Sequence, residues 1–162
     1  MKPLVIIVMG SVSDSEHAEK IARGLKEFGI EYELRIGSAH KTAAHVISML
    51  EEYEASERPT LYITVAGRSN ALSGFIDGFV TSPTITCPPH SDSFAGADIY
   101  SSIRMPSGIS PALILEPKNA ALFAARIFAL YDAEIASAVK KCMSINAQKI
   151  IEDDKKIKSL QK

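Results

Sequence analysis

The chain has 162 residues and a formal net charge of -1. This length suits one domain, large enough to bury a hydrophobic core, so we predict a single domain over residues 1–162. Apolar residues make up 46% and charged residues 23%, as in ordinary globular proteins, and the absence of a basic block argues against a nucleic-acid partner.

Membrane and disulfide-rich classes are also excluded. No apolar run reaches the roughly 18 residues that span a bilayer, and we interpret the apolar run in "MKPLVIIVMG" as a buried strand rather than a signal peptide. Cys87 and Cys142 are too few and too scattered for a metal knuckle or a disulfide framework. We therefore expect no metal, no membrane association, and reduced thiols in a cytoplasmic protein.

The first half of the chain alternates apolar strands with amphipathic helices. Leu4 to Met9 is a continuous apolar run, typical of a strand covered on both faces. A helix follows, in which Ser13 and Glu16 have capping-box spacing and Gly29 is the predicted stop. The later segments are a strand in "YELRIGSAH", a helix from Thr42 to Tyr53, a strand in "TLYITVAG" and a short helix in "ALSGFIDGFV".

The second half continues the alternation. It contains a strand in "PTITCPP", an irregular segment from His90 to Ser110 with one helical turn near Ile99, and a strand in "PALILE". A long helix is predicted from Asn119 to Met143, and a charged helix from Ile145 to Leu160. Apolar residues lie on more than one face of the long helix, which suggests burial between subunits.

Strands that alternate with helices indicate a parallel sheet with right-handed crossovers. Five strands with helices on both faces predict an α/β fold, a three-layer α/β/α sandwich of the flavodoxin-like or Rossmann-like kind. Ligands bind such sheets at the carboxyl ends of the strands, where three polar loops are expected to meet. These loops are "GSVSD", "GSAHKT" and "AGRSNALSG".

The first loop suits a phosphate. Backbone N–H groups at a helix N-terminus, with the Ser11 and Ser13 hydroxyls, can hold one, and Asp14 can accept hydrogen bonds from a ribose. The alternative is an N-cap with polar neighbours. One glycine and no lysine match neither G-x-G-x-x-G nor Walker A, which argues against a dinucleotide or a nucleoside triphosphate.

The second loop offers His40 for proton transfer and Lys41 for a phosphate, although a lone histidine can also be structural. His40 and His45 are five residues apart and do not have the spacing of a zinc pair.

The third loop permits a hydrolase alternative. "GRSNA" resembles a nucleophile elbow, and Ser69, Asp77 and His90 occur in hydrolase order, but they lie too close together in sequence. A flavin carrier is a remote alternative, because flavodoxins also have a hydroxyl-rich first loop. However, Gly67 to Gly74 contains no aromatic residue to cover the flavin ring.

Four motifs, "MGSVSD", "GSAHKT", "AGRSNALSG" and "RMPSGISP", resemble the PurE family, the aminoimidazole ribonucleotide (AIR) carboxylases and mutases of purine biosynthesis. The resemblance covers about Leu4 to Leu130. It implies a flavodoxin-like fold, a ribonucleotide monophosphate substrate with CO2, and no metal, flavin, biotin or nucleoside triphosphate as cofactor. It also implies a homo-oligomer, an octamer or a tetramer, with sites between subunits. The residues after about Met143 match weakly, and residues 145–162 are expected to form either an exposed helix or an oligomer arm that packs on a neighbour.

The resemblance favours one branch of that family. Ala71 stands where the bacterial mutase branch has a histidine, and Lys41 where that branch has an arginine. "AGRSN", "CPP" and "RMPSG" resemble the branch that carboxylates AIR directly with CO2. Carboxylation at C4 is therefore expected, with the N5-carboxyaminoimidazole ribonucleotide mutase reaction as the alternative.

The resemblance also assigns residue roles. His40 matches the proton-transfer histidine, and Arg104 to Gly108 are expected near a neighbouring subunit's site. Ser69 could instead serve as a helix N-cap. The residues expected to bind substrate are Gly10, Ser11, Ser13, Asp14, Ser38, Ala39, Lys41, Gly67, Arg68, Ser69, Asn70 and Leu72.

Overall fold

A computed structural model of the protein describes residues 1–161 and shows a five-stranded parallel sheet between two layers of helices. The strand order is β2-β1-β3-β4-β5. The strands are β1 (Leu4–Met9), β2 (Glu31–Ile36), β3 (Thr60–Val65), β4 (Thr84–Thr86) and β5 (Ala112–Leu113). The five predicted strands and their parallel pairing are confirmed, although β4 and β5 are shorter than expected.

Six α-helices connect and follow the strands. They are α1 (Ser15–Glu27), α2 (Ala43–Glu54), α3 (Ala71–Asp77), α4 (Tyr100–Ile103), α5 (Pro117–Phe128) and α6 (Ala133–Leu160). Short 3-10 segments lie at Val12–Asp14 and Ser93–Ile99. No helix within residues 1–161 is long and apolar enough to cross a membrane.

The sheet separates two hydrophobic clusters. One face of the buried strands β1 and β3 packs against α1, α5 and the start of α6, and the other packs against α2 and α3. Every residue of β1 and β3 is buried, which explains why β1 is a continuous apolar run and why neither strand alternates between buried and exposed residues.

The alanines of α5 are buried inside the protomer, where they pack near α1. The expectation that other apolar residues of this segment are buried between subunits stays a prediction. A Cβ added at Gly24 of α1 would lie 2.7 Å from the Cβ of Ala121, so the two helices approach closely. Small residues allow this approach. The buried alanines are Ala120, Ala121, Ala124 and Ala125.

The predicted helix from Asn119 to Met143 is wrong, because the chain turns between Phe128 and Ala133. The Asp132 carboxylate starts α6 by accepting hydrogen bonds from the backbone N–H groups of Glu134 and Ile135, both at 3.0 Å. The predicted boundary before Ile145 is also wrong, since α6 runs through it without interruption. Neither glycine nor proline occurs there to end the helix.

The capping box predicted at Ser13 and Glu16 is wrong as well. The 3-10 turn precedes α1, and the reciprocal pair is Ser11 with Asp14. Glu16 instead forms an exposed ion pair with Lys20 at 2.8 Å, one turn along α1.

Candidate active site

The strand order reverses between β1 and β3, which lie side by side. From β1 the chain leads to β2 at one edge of the sheet, and from β3 it leads through β4 to β5 at the other edge. In parallel sheets, the loops that leave such a pair separate and open a crevice at the carboxyl ends of the strands. The loop after β1 and the loop after β3 are two of the three polar loops that the sequence predicts to meet.

A cavity of about 560 Å³ lies at this crevice. We call it the nucleotide cavity, after the ligand that the sequence resemblance predicts for these loops. It brings together all three loops, although they are far apart in sequence. Its lining includes these predicted residues: Gly10, Ser11, Ser13, Asp14, Ser38, Ala39, His40, Lys41, Gly67, Arg68, Ser69 and Leu72. Of the predicted site residues, Asn70 alone is not part of this lining.

The first loop is held by its own side chains. The Asp14 Oδ2 atom accepts hydrogen bonds from the Ser11 backbone N–H at 3.0 Å and from the Ser11 hydroxyl at 3.3 Å. The Ser11 and Ser13 hydroxyl oxygens lie 2.6 Å apart and share a hydrogen bond. Both hydroxyls therefore occupy one small region of the cavity wall before any ligand arrives.

The second loop is a closed turn. The Thr42 hydroxyl accepts a hydrogen bond from the Ser38 N–H at 2.9 Å, and the Ser38 hydroxyl accepts one from the Lys41 N–H at 3.3 Å. These bonds fix the ends of the turn and leave His40 and Lys41 exposed at its tip, on the cavity wall. An exposed imidazole beside an ammonium group suits proton transfer next to an anionic ligand.

The third loop contains a left-handed residue and a buried cap. Arg68 has a φ of 58°, in the left-handed region. Arg68 and Ser69 are both exposed at the cavity. The N-cap of α3 is Asn70, whose side chain accepts from the Ser73 N–H, so Ser69 does not have the capping role considered for it. Asn70 is only 2% exposed and lies behind the turn.

The structure adds four lining residues that the sequence did not identify. One is Ala66, directly after β3, and the others are Pro89, Ser91 and Ser93. The last three form one group. They come from the segment after β4, which lacked any periodic pattern. The only available signal was the run of small polar residues in "PPHSDS", directly after a predicted strand.

A second cavity, of about 500 Å³, adjoins the first, and Asn70 is part of its lining. The two cavities share five lining residues, namely Ala66, Gly67, Arg68, Pro89 and Ser91. His17 of α1 lines it, and the His17 Nε2 atom lies 3.4 Å from the Cys87 sulfur. Burial lowers the pKa of His17 and raises the pKa of Cys87 to about 12, which keeps both groups neutral near pH 7. Cys87 is therefore an unreactive thiol.

Two residues of the hydrolase alternative have other partners. The Asp77 carboxylate accepts a hydrogen bond from the Ser110 N–H at 2.7 Å, and His90 Nε2 lies 2.9 Å from Asp92 Oδ1.

The lining of the nucleotide cavity contains no Phe, Tyr or Trp side chain to stack on a flavin. Within residues 1–161, no cluster of three metal-ligating side chains is found.

Comparisons with known proteins agree on one family. The model of the AIR carboxylase family matches residues 4–149. Phosphoribosylaminoimidazole carboxylase of Treponema denticola is 77% identical over 158 residues, covering 98% of this chain and 99% of that protein. The protein of the same name from Archaeoglobus fulgidus is 48% identical over 153 residues, covering 94% and 84% respectively.

The crystal structure of Treponema denticola PurE superposes with a TM-score of 0.96, covering 97% of this chain and 99% of that one at 77% identity. The resemblance drawn from the four loop motifs is therefore confirmed, as is the flavodoxin-like fold. The chain belongs to the AIR carboxylase family and is an enzyme of purine biosynthesis.

Proposed function

We propose that the protein carboxylates AIR at C4 with CO2 and uses neither ATP nor a metal. The observation that carries the proposal is the nucleotide cavity, which unites a hydroxyl-rich loop, an exposed histidine and the turn after β3. The names of the relatives from Treponema denticola and Archaeoglobus fulgidus support the same reaction.

The first two loops would hold the nucleotide. The Ser11 and Ser13 hydroxyls, 2.6 Å apart, provide adjacent donors for one phosphate. Asp14 would accept hydrogen bonds from the ribose hydroxyls, and Lys41 would place a positive charge beside the anionic substrate. Ser38 and Ala39 line the wall between these groups.

The chemistry would take place at the other end of the cavity, beside Gly67 to Ser69. The 5-amino group makes C4 of the imidazole an enamine-like nucleophile, and its electron pair forms the new bond to the carbon of CO2. C4 then carries both a hydrogen and a carboxylate. His40 would remove that proton, and the C–H electrons restore the aromatic ring. General-base help of this kind contributes about 10²–10⁴-fold in rate.

The residue at position 71 argues for direct carboxylation over the mutase reaction. Ala71 begins α3 directly after the cavity turn, and its methyl group cannot exchange a proton. A mutase must also take the carboxylate off the exocyclic amine of its substrate, and the resemblance implies that the mutase branch has a histidine at this position. Among residues 1–161, His40 is the one histidine that lines the nucleotide cavity.

Two parallel assays, followed by ultraviolet absorbance without ATP or metal, test the proposal. One contains AIR with bicarbonate as the source of CO2. The other contains N5-carboxyaminoimidazole ribonucleotide with little dissolved CO2, followed faster than that compound decays. Product in the first assay alone supports the carboxylase. Rapid product in the second assay identifies a mutase, and no product in either refutes both reactions.

We also propose that the protein acts as a homo-oligomer, an octamer or a tetramer, with sites between subunits. Ile150 and Ile157 of α6 are 69% and 57% exposed, one heptad apart, which is unusual for a helix that stays in solvent. Residues 145–161 would form an arm against a neighbour. Lys162, the end of the expected arm, lies outside the described residues. The segment from Arg104 to Gly108 would approach a neighbour's site. A single species near 17.5 kDa in sedimentation would refute the oligomer.

A further inference from the structure

A group of four polar side chains lies directly behind the turn formed by Gly67, Arg68 and Ser69. We call this group the clamp, and its members are Asn70, Thr86, Ser101 and Ser102. Asn70, Thr86 and Ser102 are 2%, 0% and 3% exposed, so their polar atoms are almost entirely removed from water. Buried polar groups persist where they are hydrogen-bonded, and these are.

The amide nitrogen and the amide oxygen of the Asn70 side chain both form hydrogen bonds within the protein. Its amide nitrogen donates to the Thr86 hydroxyl at 2.7 Å and to the Ser102 hydroxyl at 2.9 Å. Its carbonyl oxygen accepts from the Ser73 N–H at 3.4 Å. Both amide protons are therefore used, which leaves neither for a substrate or for CO2.

Ser101 completes the clamp from the side of α4. Its hydroxyl accepts a hydrogen bond from the Asn70 backbone N–H at 2.9 Å. Its one proton lies within donating distance of two carbonyl oxygens, that of Asp98 at 2.7 Å and that of Arg68 at 3.0 Å. One side chain thus connects the residue before Ser69 with the residue after it. Arg68 has a left-handed φ of 58°, which a non-glycine residue keeps only where its surroundings enforce it.

We propose that Asn70 is a positioning residue for the carboxylation reaction, and that it acts by holding the Gly67–Ser69 turn against the nucleotide cavity through the clamp. This inference rests on the proposed function. The phosphate and ribose would bind at the first loop, which the clamp does not contact. A loosened turn should therefore reduce turnover more than it reduces nucleotide binding.

The structure supplies a matched pair of variants in β4. Thr86→Val removes the hydroxyl that accepts from Asn70. Thr84→Val makes the same change two residues earlier, at a buried hydroxyl that has no hydrogen-bond partner within residues 1–161. Both replacements conserve shape at buried strand positions, so both variants should fold.

We expect Thr86→Val to lower kcat by about tenfold to 100-fold with little change in KM for AIR, because small misplacements near reacting groups have effects of this size. Amide hydrogen exchange at Ser69 and Asn70 should become faster. Thr84→Val should change neither quantity. Ser101→Ala should resemble Thr86→Val, whereas Ser101→Thr, which keeps a hydroxyl, should recover most of the turnover.

Equal kcat and equal exchange in the two threonine variants would overturn the inference, even if Thr86→Val melted at a lower temperature, since the clamp would then be structural only. A tenfold to 100-fold rise in KM for AIR in Thr86→Val, without loss of kcat, would also overturn the inference. The proposed function fails separately, if the unaltered protein forms no product from AIR and CO2. The exchange comparison still decides whether the clamp holds the turn.

Discussion

The Asp14 carboxylate folds back onto its own loop, with its Oδ2 atom 3.0 Å from the backbone nitrogen of Ser11. The residue expected to bind ribose therefore also shapes the loop expected to bind phosphate. A substitution at this position affects both roles unless one oxygen acceptor is kept. Asparagine keeps one acceptor and removes the charge, whereas alanine removes both.

Asp14→Asn should weaken the binding of AIR by about tenfold to 100-fold, the loss expected for a hydrogen bond to a charged group. Its carbonyl oxygen can still accept from the Ser11 N–H, so the loop should keep its shape. Asp14→Ala should bind AIR and inorganic phosphate more weakly still, because the loop loses its internal bond. Calorimetric titration measures each affinity, and an unchanged affinity in Asp14→Asn would exclude the ribose role.

His40→Asn should abolish most turnover, by about 10²–10⁴-fold, because the amide cannot accept the proton from C4 at neutral pH. Binding of AIR should remain close to that of the unaltered protein, since the phosphate loop is intact. His45→Asn is the matched control. His45 is also exposed, on α2, but does not line the nucleotide cavity, so full activity is expected. If His40→Asn lost affinity as strongly as turnover, a proton-transfer role would lack support.

Much of the architecture could be predicted from the sequence, because buried parallel strands leave a strong local signal. The run at Leu4–Met9 is apolar throughout, the run at Thr60–Val65 is mostly apolar with two buried threonines, and polar loops follow both. The alternation of strands and helices then requires those loops to share one edge of the sheet. This explains why residues distant in sequence could be grouped into one site.

Sequence patterns could not predict the features that long-range contacts or single side chains decide. The resemblance to the PurE family places Asn70 among the substrate-binding residues, and nothing in "GRSNA" indicates that its side chain is hydrogen-bonded within the protein. Its partners Thr86 and Ser102 lie 16 and 32 residues away, and nothing local identifies them. The break before α6 depends likewise on one carboxylate, Asp132, in a segment whose other residues suit a helix.

Cys87 should make stability depend on pH at the alkaline end. Burial is the main reason why its pKa rises from 9.0 to about 12, with the negative charge of Glu116 adding to the effect. The unfolded chain loses the thiol proton above pH 9, whereas the folded protein retains it until about pH 12. Over that range the free energy of unfolding should fall by about 1 kcal/mol for each pH unit.

Chemical denaturation of Cys87→Ala across the same pH range isolates this contribution, because the variant has no thiol to ionise at the site. Its stability should fall less steeply above pH 9 than that of the unaltered protein, while Cys142→Ala should keep the steeper slope. The pKa of buried Tyr62 is also raised, and this tyrosine contributes equally to the pH dependence of stability in all three proteins. Parallel slopes in all three would contradict the burial of Cys87 as a neutral thiol.

Gly24→Ala should destabilise the fold, although alanine normally favours a helix over glycine by about 1 kcal/mol. The added Cβ would lie 2.7 Å from the Cβ of Ala121, closer than carbon atoms can pack, so α1 and α5 must move apart. Overpacking of this kind costs about 1–3 kcal/mol, which exceeds the gain in helix propensity. A lower melting temperature is therefore expected.

The double variant Gly24→Ala with Ala121→Gly tests the cause. It transfers the methyl group from one helix to the other and restores the space between them, so most of the lost stability should return. Ala121→Gly alone should also be destabilising, because it leaves a gap and a helical glycine. If the two single losses simply added in the double variant, the contact between these two positions would not be the source of the loss.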